Sequence, residues 1–258
     1  MSGEAPGQVL VERRGPVAHV ALARPPLNVL TPEMITGLEK AFRGLQDDPH
    51  LRAVVLAGQG RAFSAGVDVR AMHGLDVVAA RPFIAALHAA IQAVQAVPVP
   101  VVARLHGHVL GGALELALGC DLRLAAASCR LGMPEIRVGI PSVIEAALLP
   151  GLVGWGRTSE LLLLGEPVEA GTAEAWGLVN RAVPDDRLDD EVEAWVARLA
   201  ALPPRAVRLQ KALLGQWRRV DLDSAMALSM DAFAQAYAGD EPRRAMQAFL
   251  DRPRGRGR

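Results

Sequence analysis

Runs of apolar residues along the first two-thirds of the chain predict strands and helices in alternation. Two strand-like runs flank Gly15-Pro16, which is typical of a hairpin. Thr31 followed by Pro32 is typical of a helix N-terminus, because threonine caps and proline suits the first turn. The predicted strands are 9–13, 17–23, 53–57, 99–105 and 122–126, and the predicted helices are 32–45, 82–97 and a short one that follows the turn 107–112 and ends near residue 119.

The last part of the chain has a different pattern. From about residue 189 onward no strand pattern occurs, and helices are predicted over 191–202, 205–214, 225–237 and 243–250. The sequence therefore predicts an α/β core over residues 1–200 and a helical C-terminal region over 201–258, with a short basic tail at 252–258. We expect the helical region to pack on the core or on another subunit.

Composition and charge exclude several classes of protein. Hydrophobic residues make up 51% of the 258 residues and charged residues 22%, which is typical of a globular chain. Lys+Arg and Asp+Glu are 28 each, so the net charge is zero, which argues against a nucleic-acid partner. Lys40 and Lys211 are the only lysines, and Glu39 and Gln210 precede them, so no Gly-Lys-Ser/Thr phosphate loop exists.

Cysteines and long apolar segments point to no special compartment. Cys120 and Cys129 are too few for a disulfide scaffold and form no Cys-x-x-Cys motif. Residues 1–14 are polar, so no signal peptide is expected. The uncharged segment 82–103 is long enough to span a bilayer, but it contains His88, Gln92 and Pro98. It is predicted to be a buried helix followed by a buried strand, and the protein to be cytoplasmic with no membrane partner.

Candidate chemistry begins at a glycine turn before the short helix. Gly111 and Gly112 leave N–H groups pointing out of a helix N-terminus, where they suit an oxyanion, although such turns are also common without a ligand. Glu115 lies one helical turn further on among apolar neighbours, which is typical of a carboxyl that is paired or has a raised pKa and a catalytic role; the helix is too short to exclude a solvated face as the alternative. Glu135 follows twenty positions later, after a strand that leads back to the same end of the sheet. Two carboxyls in one apolar cleft form an acid/base pair.

Taken together, these segments resemble the crotonase superfamily of enoyl-CoA hydratases and isomerases. The resemblance extends over nearly the whole chain, from Arg24-Pro25 to Phe249. Its motifs are Phe63-Ser64-Ala65-Gly66-Val67-Asp68, Leu110-Gly111-Gly112-Ala113-Leu114-Glu115-Leu116-Ala117 with Cys120-Asp121, and Met133-Pro134-Glu135. It implies a crotonase-like spiral of ββα repeats with a helical C-terminal trimerisation region, assembled as a homotrimer or a dimer of trimers.

The resemblance also implies an activity and the residues that perform it. The N–H groups of Val67 and Gly112 would hold the thioester oxygen of an acyl-CoA. Glu115 would activate water, and Glu135 would exchange a proton at the α-carbon. Because both glutamates are present, hydration of a 2-enoyl-CoA is expected, with no metal or redox cofactor, since coenzyme A is part of the substrate. The alternatives are a Δ3-Δ2 enoyl-CoA isomerase, a hydrolase or decarboxylase of this fold, and an RNA-binding relative.

Substrate contacts are implied by the same resemblance. Arg252 takes the place of a family lysine that contacts CoA phosphate, and Arg70 is a second basic candidate. The residues expected to bind the acyl-CoA are Pro26, Val29, Ala65, Asp68, Val69, Arg70, Gly111, Pro134, Ser142, Phe249 and Arg252.

The segment after Glu135 departs from the family pattern. Hydratases usually have a glycine-rich turn there, whereas this chain has Ser142 in place of a glycine and then Glu145. Glu145 is either a third acid of the pocket or one half of a Ser142-x-x-Glu145 capping box at a helix start. The capping box is the favoured interpretation.

Overall fold

The computed structural model describes residues 8–251 in two compact units, which divide between Leu199 and Ala200. The strands are β1 (Gln8–Arg14), β2 (Val17–Ala23), β3 (Ala53–Gly58), β4 (Val101–Leu105), β5 (His108–Leu110), β6 (Leu122–Ala126), β7 (Arg130–Gly132), β8 (Val168–Glu169) and β9 (Arg181–Val183). The helices are α1 (Pro32–Leu45), α2 (Val69–His73), α3 (Val77–Ala96), α4 (Gly112–Gly119), α5 (Leu149–Leu164), α6 (Ala170–Trp176), α7 (Leu188–Ala200), α8 (Pro204–Trp217), α9 (Leu222–Ala236) and α10 (Glu241–Leu250). The 3-10 helices are Pro134–Val138, Ile144–Leu148 and Asp185–Arg187.

Strands of the first unit lie in two sheets. The larger sheet has the order β1-β2-β3-β4-β6-β9, in which only the β1–β2 pair is antiparallel. The smaller sheet has the order β5-β7-β8, and Ser64 adds a single parallel bridge to Val109. The chain passes from the large sheet to the small one and then into a helix, as in β4-β5-α4. This step is repeated along the unit, as β6-β7 followed by the 3-10 helix Pro134–Val138.

Strands made of continuous apolar residues form the buried centre of the large sheet. Parallel strands covered on both faces need continuous apolar sequence, and the Ala-Val-Val-Leu run of β3 is fully buried. Helix α1 places Leu38 and Phe42 in the core, where neither side chain is exposed, and packs on α3. The core therefore lies between the large sheet and these two helices.

Helix α3 begins at Val77, five residues before the predicted start. The Asp76 side chain accepts a hydrogen bond of 2.8 Å from the N–H of Ala79 and caps the helix, which continues through Pro82. By length and composition α3 could cross a bilayer. Its face with Leu87, Ile91 and Val94 is instead buried in the core, as expected for a core helix.

Asn28 fixes the loop after β2 against the loop after β3. Its side chain is fully buried, and its Nδ2 lies 2.6 Å from the carbonyl oxygen of Gln59 and 2.8 Å from that of Ala62. Its Oδ1 accepts a hydrogen bond of 2.8 Å from the N–H of Arg24. Both loops line the cavities described below, so this buried amide positions the walls of the site.

The second unit is helical throughout its described part, as predicted. Helices α8 and α9 pack together. The carboxylate of Glu241 accepts hydrogen bonds from the N–H groups of Arg205 (3.2 Å) and Ala206 (3.0 Å), and so caps the start of α8. The predicted basic tail at 252–258 lies outside the described residues.

Candidate active site

Two loops of the spiral are joined by backbone hydrogen bonds. The N–H of Ser64 donates to the carbonyl of His108 (3.1 Å), and the N–H of Leu110 donates to the carbonyl of Ser64 (3.3 Å). The hydroxyl of Ser64 is buried and donates to the carbonyl of Asn28 (2.7 Å). These bonds hold the loop 63–68 beside the glycine turn at the start of α4.

Val67 and Gly112 lie side by side at this junction. A Cβ built on Gly112 would lie 2.8 Å from Cγ2 of Val67, so the two residues are in direct contact. Neither N–H donates to another atom of residues 8–251. The Gly112 N–H also lies at the N-terminus of α4, where the helix dipole favours negative charge. Two unpaired donors on rigid backbone are therefore available to an oxyanion.

Glu115 lies inside the protein, one turn along α4. It is 3% exposed, which excludes a solvated face, and its Oε1 accepts a hydrogen bond of 3.3 Å from the N–H of Ala146. Burial, and after it the negative charge of Glu135, raise the pKa of Glu115 to about 8. In the free protein at neutral pH, Glu115 is therefore mostly protonated.

Glu135 lies on the 3-10 helix Pro134–Val138 and contacts the glycine turn. A Cβ built on Gly111 would lie 2.3 Å from Oε1 of Glu135, so only glycine leaves room for the carboxylate. The hydroxyl of Ser142 donates to Oε2 of Glu135 (3.0 Å). Burial raises the pKa of Glu135, while the hydrogen bond from Ser142 opposes that rise.

A pocket of about 190 Å³ brings most of the predicted catalytic residues together. Its other walls are mainly apolar and include Met72, Ile84, Leu87 and Val143. The predicted site residues that line it are Ala65, Val67, Val69, Gly111, Gly112, Glu115, Pro134 and Glu135. Ser142 touches the site through its hydrogen bond to Glu135.

A second cavity of about 510 Å³ shares Ala65, Val67 and Val69 with the first. Arg24 also lines it, 3.7 Å from the carboxylate of Asp68, and adds a cation that we did not predict from the sequence. The predicted CoA contacts that line this groove are Pro26, Val29, Ala65, Asp68, Val69 and Arg70. Phe249 belongs to the second unit and Arg252 lies outside the described residues, so both stay predictions.

The predicted capping box at Ser142 and Glu145 is wrong. The N-cap of the 3-10 helix Ile144–Leu148 is Val143, which makes no side-chain capping bond, and the Ser142 hydroxyl is bound to Glu135 instead. Oε1 of Glu145 lies 2.8 Å from Nδ1 of His88 and accepts a hydrogen bond of 3.0 Å from Gln92. A tertiary contact with α3 has replaced the local one, and sequence spacing gives no signal for it.

Comparison with known proteins identifies the family. A sequence model of the Enoyl-CoA hydratase/isomerase family matches residues 12–255. The chain belongs to this family.

Members of the enoyl-CoA hydratase/isomerase family with known names are similar over nearly the full length. A crotonyl-CoA hydratase of Syntrophomonas wolfei is 33% identical over 247 residues, which cover 95% of both chains. A short-chain-enoyl-CoA hydratase of Clostridium acetobutylicum is 30% identical, also over 95% of both chains. The crystal structure of an enoyl-CoA hydratase from Mycobacterium smegmatis superposes with a TM-score of 0.92 at 34% identity, covering 95% of this chain and 97% of that one. The fold is thus the crotonase-like ββα spiral with C-terminal helices.

Proposed function

We propose that this family member is an enoyl-CoA hydratase, which adds water across the double bond of a 2-enoyl-CoA thioester. One observation carries the proposal: the buried carboxyl of Glu115 and the half-buried carboxyl of Glu135 share a pocket with the unpaired N–H groups of Val67 and Gly112. The similarity to proteins named as hydratases supports it.

The N–H pair is suited to stabilising the charge that forms during the reaction. When a nucleophile adds to the β-carbon of an enoyl thioester, negative charge develops on the thioester oxygen. Fixed backbone donors in a largely apolar pocket stabilise that charge without having to reorganise. Val67 and Gly112 are therefore proposed to bind the thioester oxygen.

The two carboxyls are proposed to share one proton, which moves with the direction of reaction. In hydration, Glu115 accepts a proton from water as the oxygen bonds to the β-carbon, and Glu135 delivers its proton to the α-carbon. The site then holds a protonated Glu115 and an ionised Glu135, the state favoured in the free protein by the raised pKa of Glu115. Dehydration starts from this state and runs the same steps backwards.

The groove beside the pocket is proposed to hold the CoA portion of the substrate. It carries the guanidinium groups of Arg24 and Arg70, which suit phosphate, and it joins the pocket at Ala65 and Val67. No metal or redox group takes part in the proposed steps. We also propose a cytoplasmic homotrimer or dimer of trimers, which exposed apolar side chains such as Trp155 and Leu163 support.

The test is hydration of a short 2-enoyl-CoA by purified variants, followed as loss of the conjugated-thioester absorbance. Glu115→Gln and Glu135→Gln keep the side-chain shape but remove the proton transfer. Each is expected to lower kcat by at least about 100-fold. Glu160→Gln, an exposed carboxyl on α5, is the matched control and should keep full activity.

Two results would count against this assignment. Turnover within tenfold of the wild type in both glutamine variants would mean that another group performs the chemistry. Rapid conversion of a 3-enoyl-CoA to the 2-enoyl isomer, with no hydration of the product, would instead identify an isomerase.

A further inference from the structure

Glu145 is a third carboxyl near the pocket, and the mechanism above does not use it. Its side chain is 4% exposed. Oε1 accepts a hydrogen bond from Gln92 and lies 2.8 Å from Nδ1 of His88, both of which are on α3. Oε2 is buried and has no hydrogen-bond partner among the described residues. The carboxyl is thus anchored through one oxygen only.

Such an arrangement is costly for a residue with a purely structural role. A buried polar atom without a partner loses its hydration and gains nothing in return. An apolar side chain of similar size would fill the space between α3 and the 3-10 helix Ile144–Leu148 at lower cost. The placement of Glu145 therefore points to an electrostatic role.

Glu145 adjoins the segment that binds Glu115. The N–H of Ala146, the residue after Glu145, donates to Oε1 of Glu115, so the backbone next to Glu145 contacts the Glu115 carboxyl directly. The charge of Glu145 contributes to the raised pKa of Glu115. A negative charge held at position 145 therefore disfavours a second one at position 115.

Few other charged groups face this carboxyl from the elements packed on its 3-10 helix. Within the described residues, α4 contributes only Glu115, and α3 contributes His88, whose side chain is 49% exposed. The remaining charged groups of α3 and α5 are exposed at the surface: Arg81, Arg157 and Glu160. Among residues 8–251, His88 is thus the one ionisable group that touches Glu145.

We propose that Glu145 is a positioning residue, whose buried negative charge keeps the shared proton of the Glu115–Glu135 pair in the site up to alkaline pH. His88 and Gln92 hold this carboxyl in place. The inference rests on the proposed function for its kinetic consequence, because activity requires one proton on the pair. Glu145 itself touches neither substrate nor the reacting atoms in this scheme.

The test is the pH profile of kcat/KM, whose alkaline limb reports loss of the shared proton from the free enzyme. Glu145→Gln removes the charge at nearly constant shape. We expect the alkaline limb of the kcat/KM profile of this variant to shift to lower pH by roughly one unit. Glu145→Asp keeps the charge, and its limb should stay near that of the wild type. A merely structural role would change the melting temperature without moving the limb.

A second variant covers the case in which Glu145→Gln does not fold. His88→Lys puts a permanent positive charge beside Glu145 at a half-exposed helix position, so it should also lower the limb, whereas neutral His88→Gln should not. Infrared titration of the protonated-carboxyl band that disappears in Glu115→Gln gives the same midpoint without any substrate. The midpoint should fall in Glu145→Gln or His88→Lys.

The outcomes separate this inference from the proposed function. A wild-type protein that turns over no enoyl-CoA overturns the hydratase proposal, while the infrared midpoint still decides the role of Glu145. If a folded Glu145→Gln or His88→Lys variant has the same alkaline limb of kcat/KM and the same infrared midpoint as the wild type, the inference is wrong. A downward shift of equal size in Glu145→Asp would do the same.

Discussion

Oε1 of Glu135 occupies the space in which a side chain on Gly111 would begin. A Cβ at that position would lie 2.3 Å from the oxygen, and Gly111 has φ +55° and ψ −129°, a conformation that residues with a side chain rarely adopt. The glycine turn therefore admits the carboxylate and leads directly to Gly112 at the start of α4. The proposed acid/base group and the proposed oxyanion donor therefore both depend on the two-residue backbone segment Gly111-Gly112.

This contact predicts the effect of Gly111→Ala. The added methyl group must displace Glu135, and a shift of about 1 Å in a catalytic group costs roughly 100-fold in kcat. Gly15→Ala is the matched control, because Gly15 has a similar φ of +59° but open space around its Cβ position. It should lose stability and keep kcat. Equal kcat losses in both variants would show that backbone strain, not contact with Glu135, is responsible.

The hydrogen bond from Ser142 predicts a shift in the acid limb of the pH profile. The Ser142 hydroxyl donates to Oε2 of Glu135 and stabilises its ionised form, so Ser142→Ala should raise the pKa of Glu135 further. We expect the acid limb of kcat/KM to move up by roughly one pH unit. Ser142→Thr retains a hydroxyl and should stay near the wild type. An unmoved limb in Ser142→Ala would rule out this role.

Burial of Glu115 predicts how stability changes with pH. The pKa of Glu115 is about 8 in the folded protein, against an ordinary value of 4.5 for glutamate, so between these pH values the folded state holds a proton that the unfolded state has released. The free energy of unfolding must therefore fall as pH rises from about 4.5 to about 8. Glu115→Gln removes this loss, and its advantage over the wild type should grow with pH by at most about 5 kcal/mol.

Urea denaturation at pH 5, 7 and 9 measures this difference. Glu160→Gln serves again as the control, since its exposed side chain should show no such gain. A constant difference between Glu115→Gln and the wild type across the three pH values would contradict the raised pKa.

The groove predicts a substrate-dependent effect of Arg70. Its guanidinium is exposed at the cavity that we assign to CoA. Arg70→Ala should raise KM for an enoyl-CoA about threefold, and should leave KM unchanged for an N-acetylcysteamine thioester, which lacks the nucleotide. Arg43→Ala, an exposed arginine of α1 paired with Glu39, should change neither value. An equal KM rise for both thioesters would argue against a phosphate contact.

Local sequence pattern predicts the long elements well and the short ones poorly. Strand 122–126 has the predicted bounds, because a buried parallel strand needs a continuous apolar run. The three-residue strands β7 and β9 are too short to show any periodicity, and they were not predicted. Residues 134–138 form a 3-10 helix that was not predicted either.

The candidate site shows the same limit at the level of single residues. The resemblance to a known family named Glu115 and Glu135, but the spacing Ser142-x-x-Glu145 suggested a cap that does not form. Both side chains instead contact groups that folding brings near: Ser142 binds Glu135, and Glu145 binds His88 on α3. Spacing describes only neighbours within a turn or two, so such long-range partners cannot be inferred from it.

The proposed oxyanion donors are the main-chain N–H groups of Val67 and Gly112, and this has a consequence for how such a protein can change during evolution. A point mutation replaces a side chain but leaves an N–H in place, so these donors persist through most substitutions. Glu115 and Glu135 can each be lost or exchanged by a single codon change. New reactions of thioester enolates are therefore accessible by altering the acids alone, while the part of the site that stabilises the intermediate is inherited intact.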